Sequence, residues 1–76
     1  MKSIYDPRYQ ALISDLRKLR KSRHLTQTDM ANILCKPQSF IAKVEQCERR
    51  LDVVELHDWL VALDTSLADF IQSAEL

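Results

Sequence analysis

Polar side chains at helical spacing between residues 38 and 46 form a candidate hydrogen-bonding surface. Gln38, Ser39, Ala42, Lys43 and Gln46 share one face of a predicted helix, and only one of the five is charged. Glutamine both donates and accepts hydrogen bonds, and glutamine and lysine side chains match the donor and acceptor pattern of base edges in the major groove of DNA. The pattern therefore favours base recognition over an ordinary solvated helix face.

The side chains that most often carry catalysis or bind metals are scattered along the chain. His24 and His57 are isolated, and the sequence has no Ser-His-Asp order, no carboxylate pair with a histidine, no phosphate-binding loop and no metal motif. A zinc site made of these histidines with Cys35 and Cys47 lacks the close ligand spacing of such sites. We therefore expect neither an enzyme nor a metal or other cofactor.

The two cysteines raise a sharper alternative, a thiol-sensing regulator. Lys36, Arg49 and Arg50 are near Cys35 and Cys47 in the sequence and would lower the pKa of their thiols. An intramolecular disulfide is not expected, because the helix between the cysteines would separate them by about 15 Å. Cysteines with a structural or incidental role are the favoured interpretation.

Charge is unevenly distributed along the 76 residues, although the formal net charge is zero. Residues 1–50 contain all 11 Lys and Arg against five acids (11 − 5 = +6), whereas residues 51–76 contain six acids and no Lys or Arg, which gives −6. A basic front suggests a polyanionic partner. The alternative is a solvated surface whose charges are segregated by chance.

Length and composition indicate one small globular domain. Hydrophobic residues make up 46% of the chain and charged residues 29%, which is not the composition of a disordered protein. The longest apolar run, Trp59 to Leu63, is far shorter than the roughly 20 residues of a membrane span, and the amino end lacks the apolar segment of a signal peptide. With only two cysteines, we expect a reducing, cytoplasmic location and no membrane partner.

The spacing of apolar residues predicts an all-α chain of five short helices. Glycine is absent and only two prolines occur, which disfavours hairpins. The expected helix starts combine capping residues and prolines: Asp6-Pro7, a capping box at Thr26 and Asp29, Pro37 as the first residue of the third helix, and capping boxes at Asp52 and Glu55 and at Ser66 and Asp69. About two residues join the second and third helices, which is the helix-turn-helix arrangement.

The single domain of residues 1–76 divides into a short amino-terminal extension (1–5), a helix-turn-helix (26–46) and carboxyl-terminal helices (52–72). The apolar stripes of the helices predict the core. Its expected members are Tyr9, Leu12, Ile13, Leu16, Leu19, Met30, Ala31, Leu34, Ile41, Val44, Val53, Leu56, Trp59, Leu60, Leu63, Leu67, Phe70 and Ile71.

Residues 12–71 resemble the Xre/Cro-type helix-turn-helix domains of phage repressors and bacterial regulators. The features that carry the resemblance are LTQ at the start of the second helix, PQSFIAKVE across the third, and the ERR segment that leads into the capping box of the fourth. The resemblance implies a compact five-helix, lambda repressor-like DNA-binding domain.

The resemblance also implies which residues read bases, because the third helix of this family lies in the major groove. By position these are Gln38, Ser39, Ala42 and Lys43. Glutamine can bind adenine N6 and N7, lysine suits guanine O6 and N7, and an alanine can meet a thymine methyl group. The alternatives are ordinary exposed helix residues, or a phosphate contact in the case of Lys43.

Phosphate contacts are implied at both ends of the third helix and at the start of the second. The implied residues are Gln27, Lys36, Phe40, Arg49 and Arg50, with Arg17, Lys18 and Lys21 as more distant candidates. Each cation has a solvated alternative. Phe40 either packs on the second helix, which is the favoured interpretation, or sits at the groove wall.

Two further implications concern structure. In the family, the positions of Arg20 and Glu45 form an ion pair that fixes the angle of the third helix. The family commonly places glycine just after each of the first four helices, where this chain has His24, Cys35, Cys47 and Asp64. Either these turns differ, or the chain tolerates strain of about 1 kcal/mol at each site.

The function most consistent with these residues is a sequence-specific transcription regulator of double-stranded DNA. We expect a repressor that binds a palindromic operator as a homodimer, with recognition helices about 34 Å apart. The candidates for the dimer surface are Trp59, Leu60, Val61, Leu67, Phe70 and Ile71, of which Trp59 and Leu60 have the core as an alternative. The alternative function is a protein-interaction module, such as the antitoxin of a toxin–antitoxin pair whose DNA binding is autoregulatory.

Overall fold

The computed structural model describes residues 3–74 and contains five α-helices with no strand among those residues. A single 3₁₀ turn at Ser3–Tyr5 precedes them. The helices are α1 (Pro7–Ser22), α2 (Gln27–Leu34), α3 (Gln38–Glu45), α4 (Val53–Ala62) and α5 (Leu67–Ser73). The predicted all-α class with a helix-turn-helix of α2 and α3 is confirmed.

The helix starts follow from the capping residues. Asp6 accepts a hydrogen bond from the Arg8 N–H at 2.8 Å before Pro7 opens α1, and hydrogen bonds from Arg8 lower the pKa of Asp6 to about 2. Reciprocal capping boxes begin α2 at Thr26 and α4 at Asp52. These side chains satisfy N–H groups that have no partner within the helix.

Two predicted helix starts differ in detail. At α5 the Ser66 hydroxyl accepts from the Asp69 N–H at 3.0 Å, and only this half of the expected box is formed among the described hydrogen bonds. Pro37 lies one position before α3, as its N-cap, with an extended ψ of 149°. The helical geometry therefore begins at Gln38.

The ends of α1 to α4 share one geometry. His24, Cys35, Cys47 and Asp64 all have a left-handed backbone, with φ between 55° and 60°. The N–H of each of these residues donates to the carbonyl oxygen three positions earlier. The N–H of the residue that follows donates to the carbonyl oxygen five positions earlier, as Leu25 N–H does to Arg20 O at 3.3 Å. This is the Schellman motif, in which glycine is the usual left-handed residue. The turns therefore keep the expected geometry without glycine.

The core lies where α1 to α4 meet, with α5 closing one end. Its buried members are Ile13, Leu16, Met30, Ala31, Ile41, Val44, Leu56, Trp59, Leu60, Leu63 and Phe70. The predictions that Val53 and Ile71 belong to the core are wrong, because Ile71 is 38% and Val53 is 64% exposed. Side chains lean toward the amino end of a helix, so this first residue of α4 projects beyond the elements that cover Leu56.

Two sets of contacts position α3. It packs against α2, to which residues 35–37 join it, and against α1. No helix within residues 3–74 is long and apolar enough to cross a membrane.

Candidate nucleic-acid interface

The outward face of α3 presents the predicted base-reading residues together. Gln38, Ser39 and Lys43 are exposed and Ala42 is half-buried. On the opposite face Ile41 and Val44 are completely buried. Two buried anchors therefore hold the helix while its polar face remains available to a partner.

A chain of hydrogen bonds leads from this face into the protein. Gln38 Nε2 donates to Gln27 Oε1 at 2.7 Å, and Gln27 Nε2 donates to Glu45 Oε1 at 2.9 Å. The Glu45 side chain is only 3% exposed. We call these three side chains the relay; they join the start of α3 to its end through the first residue of α2.

Arg20 holds the buried end of the relay. Its Nε and Nη2 donate to the two carboxylate oxygens of Glu45 at 2.6 and 3.0 Å, and its Nη1 donates to Leu25 O at 2.6 Å. Arg17 Nε lies 3.8 Å from Glu45 Oε1. The two-point geometry leaves the carboxylate one orientation, which ties α1 to the end of α3.

Aromatic and basic side chains lie together beside α3. The half-buried Phe40 ring packs near Trp59, with ring centroids 6.1 Å apart. The Arg49 guanidinium lies 4.6 Å and the Lys36 ammonium 5.6 Å from the centroid of the Phe40 ring. Both distances are within the range of cation–π attraction. The ring therefore packs against the core beside α4 and also holds two cations of the predicted phosphate-contacting set.

Phe40 itself has no side-chain donor, and its backbone N–H already donates to Pro37 O at 3.0 Å. Arg49 is also engaged, because its two terminal nitrogens donate to Glu55 at 3.0 and 2.8 Å. Hydrogen bonds from Arg49 and from the Asp52 N–H lower the pKa of Glu55. Arg49 would therefore have to share or leave Glu55 to reach a phosphate. Arg50 is exposed.

Cys47 does not have the surroundings expected of a redox sensor. Burial raises the pKa of the Cys47 thiol, which is opposite to the direction that the nearby cations were expected to impose. Cys35 and Cys47 are both free thiols. Within residues 3–74 no group of three or more His, Cys, Asp and Glu side chains could hold a metal ion.

Sequence reasoning missed four hydrogen bonds that position these elements. Gln27 was expected to meet a phosphate, but it also bridges Gln38 and Glu45. Arg23 donates to Leu63 O at 3.0 Å, which joins the end of α1 to the end of α4. The Tyr9 hydroxyl accepts from the Leu51 N–H at 3.0 Å. Each contact joins residues 11 or more positions apart, and no local spacing signals it.

Similarity to known proteins agrees with this geometry. A family model described as helix-turn-helix matches residues 16–70. The solved structure of an XRE-family like protein from Pseudomonas syringae pv. tomato str. DC3000 is 38% identical in sequence, with a TM-score of 0.88, and the match covers 96% of this chain and 89% of that one. No curated protein matches the chain.

Proposed function

Because the chain belongs to the XRE family of helix-turn-helix proteins, we propose that it is a transcriptional repressor that binds a palindromic operator as a homodimer. The family and the fold make the chain a DNA-binding regulator. The operator symmetry, the direction of regulation and the dimer are the parts that we infer.

The observation that carries the proposal is the exposed polar face of α3 beside a set of cations. In the proposed complex α3 lies in the major groove, and Gln38, Ser39, Ala42 and Lys43 face the base edges. Glutamine and lysine then supply hydrogen bonds that distinguish base pairs, and the alanine methyl adds an apolar contact. Because this face carries only one charged residue, hydrogen bonds determine which base pairs it selects.

Phosphate contacts hold the helix in this orientation. Gln27 has a second amide hydrogen beyond the one given to Glu45, and Lys36, Arg49 and Arg50 lie at the two ends of α3. Phe40 contributes as a platform that holds Lys36 and Arg49 rather than as a donor. Such contacts set affinity and register but do not read sequence.

The charge distribution supports the same orientation. Residues 51–76 contain six acids and no Lys or Arg, so this carboxyl-terminal segment, which contains α4 and α5, is repelled by a polyanion. The basic segment 1–50 contains α2 and α3. Long-range attraction would therefore steer α3 toward DNA before any contact forms.

The dimer surface must lie on residues that the core does not use. Phe70 is 5% exposed, so its prediction as a dimer residue is wrong, and Trp59 and Leu60 follow the core alternative. Leu67 is half-buried against the core. Val61 and Ile71 are 62% and 38% exposed and remain candidates.

Selection of binding sites from a random duplex library at physiological salt tests the proposal. We expect a palindrome with half-sites about one helical turn apart. Gln38→Ala should then relax one base position in each half-site, whereas Arg49→Ala should weaken all sites alike. Absence of any enriched sequence, with binding that disappears at modest salt, would leave only non-specific attraction and would refute the proposal.

A second candidate is a module that binds another protein, such as a toxin, and regulates its own operon. Ile33, 51% exposed, and Val61 border a cleft of about 580 Å³ between α2 and α4. Exposed apolar side chains beside a cleft suit a protein partner. Light scattering on the purified chain separates the candidates: a dimer of two copies favours the repressor, whereas a monomer that co-purifies with a second protein favours the module.

A further inference from the structure

The direction of the hydrogen bonds in the relay has a consequence for base recognition, and this inference rests on the proposed function. The relay ends in a carboxylate, which can only accept hydrogen bonds. Gln27 must therefore turn its amide nitrogen toward Glu45. Its oxygen then faces Gln38, and Gln38 must turn its own nitrogen toward Gln27, as the 2.9 and 2.7 Å contacts have it.

Glu45 cannot turn away to permit the opposite orientation of the Gln27 and Gln38 amides. Both of its oxygens accept from Arg20, at 2.6 and 3.0 Å, and its side chain is 3% exposed. Reversing the relay would place the Gln27 oxygen against the carboxylate, where two acceptors would meet without a proton between them. The buried ion pair thus fixes the orientation of an exposed side chain at the other end of α3.

This orientation decides what Gln38 offers to DNA. One of its two amide hydrogens is given to Gln27, so one hydrogen and the carbonyl oxygen remain. One donor and one acceptor match adenine, whose N7 accepts and whose N6 donates. Guanine presents two acceptors, O6 and N7, and the carbonyl oxygen of Gln38 would face one of them.

We propose that Glu45 is a specificity-determining positioning residue, because it fixes which end of each amide, nitrogen or oxygen, faces the neighbour in the Gln27–Gln38 pair. This orientation selects adenine over guanine at the base pair read by Gln38. Glu45 touches no DNA in this arrangement. It acts through Gln27, and a reversed relay would leave Gln38 with two free amide hydrogens, which suit the two acceptors of guanine.

The experiment compares base preferences of three proteins by site selection. In the wild type we expect adenine at the position that Gln38→Ala identifies, preferred over guanine by about tenfold. The double variant R20M/E45M replaces the buried pair by apolar side chains of similar length, an exchange that is often tolerated. Without the carboxylate, the Gln27 and Gln38 amides can take either orientation. The ratio of adenine to guanine should therefore fall toward unity at that position, while the base preferences at the other positions are unchanged.

A second variant keeps the proposal testable if the double variant does not fold. Gln27→Met removes the middle of the relay and leaves the Arg20–Glu45 pair intact, and the same loss of adenine preference is expected. Ile13→Val is the matched control, a mild core change in α1 that should lower stability without changing the base profile. Intrinsic fluorescence of the buried Trp59 reports whether each variant is folded.

The outcomes separate the two proposals. No enriched sequence for the wild type would refute the proposed function, and the inference with it. An enriched palindrome whose adenine preference persists in folded R20M/E45M or in Gln27→Met would overturn the inference alone. Equal weakening at all base positions would also overturn it, because that result would make the relay a structural support only.

Discussion

Replacing Cys35 by glycine should stabilise the protein, because α2 ends at a residue whose backbone is left-handed and which carries a Cβ atom. Cys35 has φ 55° and ψ 44°. A residue with a Cβ atom loses about 1–2 kcal/mol in this conformation. Glycine avoids that cost but loses about 0.5–1 kcal/mol more conformational entropy on folding. Since Cys35 is exposed and little packing is lost, we expect a net gain of about 0.5–1 kcal/mol in the free energy of unfolding.

Urea unfolding followed by Trp59 fluorescence measures this gain. The midpoint should rise with an unchanged m value, and Tm should increase by about 2–8 °C for a chain of this length. Cys35→Ala is the control, because it removes the thiol and keeps the Cβ atom. Cys47→Gly should gain less, since Cys47 is half-buried against the core. If Cys35→Gly were no more stable than Cys35→Ala, the left-handed geometry would not be a source of strain and the reasoning would fail.

Three further predictions concern stability. Arg20→Met should cost about 3–5 kcal/mol in urea unfolding because it leaves the Glu45 carboxylate buried without its partner, and a loss below 1 kcal/mol would contradict the account of the pair. Asp52→Ala should cost about 1 kcal/mol by removing the acceptor of the Glu55 N–H at 2.7 Å; Asp52→Asn, which retains an acceptor, should cost less. The folded-state pKa of Glu55 lies below its usual 4.5, so its contribution is complete above about pH 4.5 and is lost as the pH falls through the folded-state pKa. Unfolding measured from pH 6 to pH 3 should therefore show a shallower acid loss for Glu55→Gln, and identical slopes would count against the Arg49–Glu55 pair.

Local features of the fold are readable from the sequence because they depend on neighbouring residues. The caps at Thr26 and Asp52 place helix starts through side chains three residues apart. The apolar stripe of α4 predicts the burial of Trp59, since helical spacing alone puts it beside Leu56. Val53 has the same spacing and is exposed, because burial also requires a neighbouring element that reaches the end of the helix.

The candidate interface is only partly readable in this way. The polar face of α3 follows from spacing, and the resemblance to a family implied Gln38 and Lys43. The relay cannot be predicted from residue spacing, because Gln27 and Glu45 are 18 residues apart and meet only after α2 and α3 have packed. Arg49 had several possible partners, and its position over Phe40 and beside Glu55 depends on where α4 begins.

The central claim, that α3 and the start of α2 are the DNA-binding surface, is tested most directly by NMR. Isotope-labelled protein is titrated with a short mixed-sequence duplex at low salt, and amide shifts are followed for backbone and side chains. We expect the largest changes at Gln38, Ser39 and Lys43 and at the side-chain amide of Gln27, with little change in the acidic segment 52–72. Changes concentrated in α4 and α5, with α3 unaffected, would contradict the account.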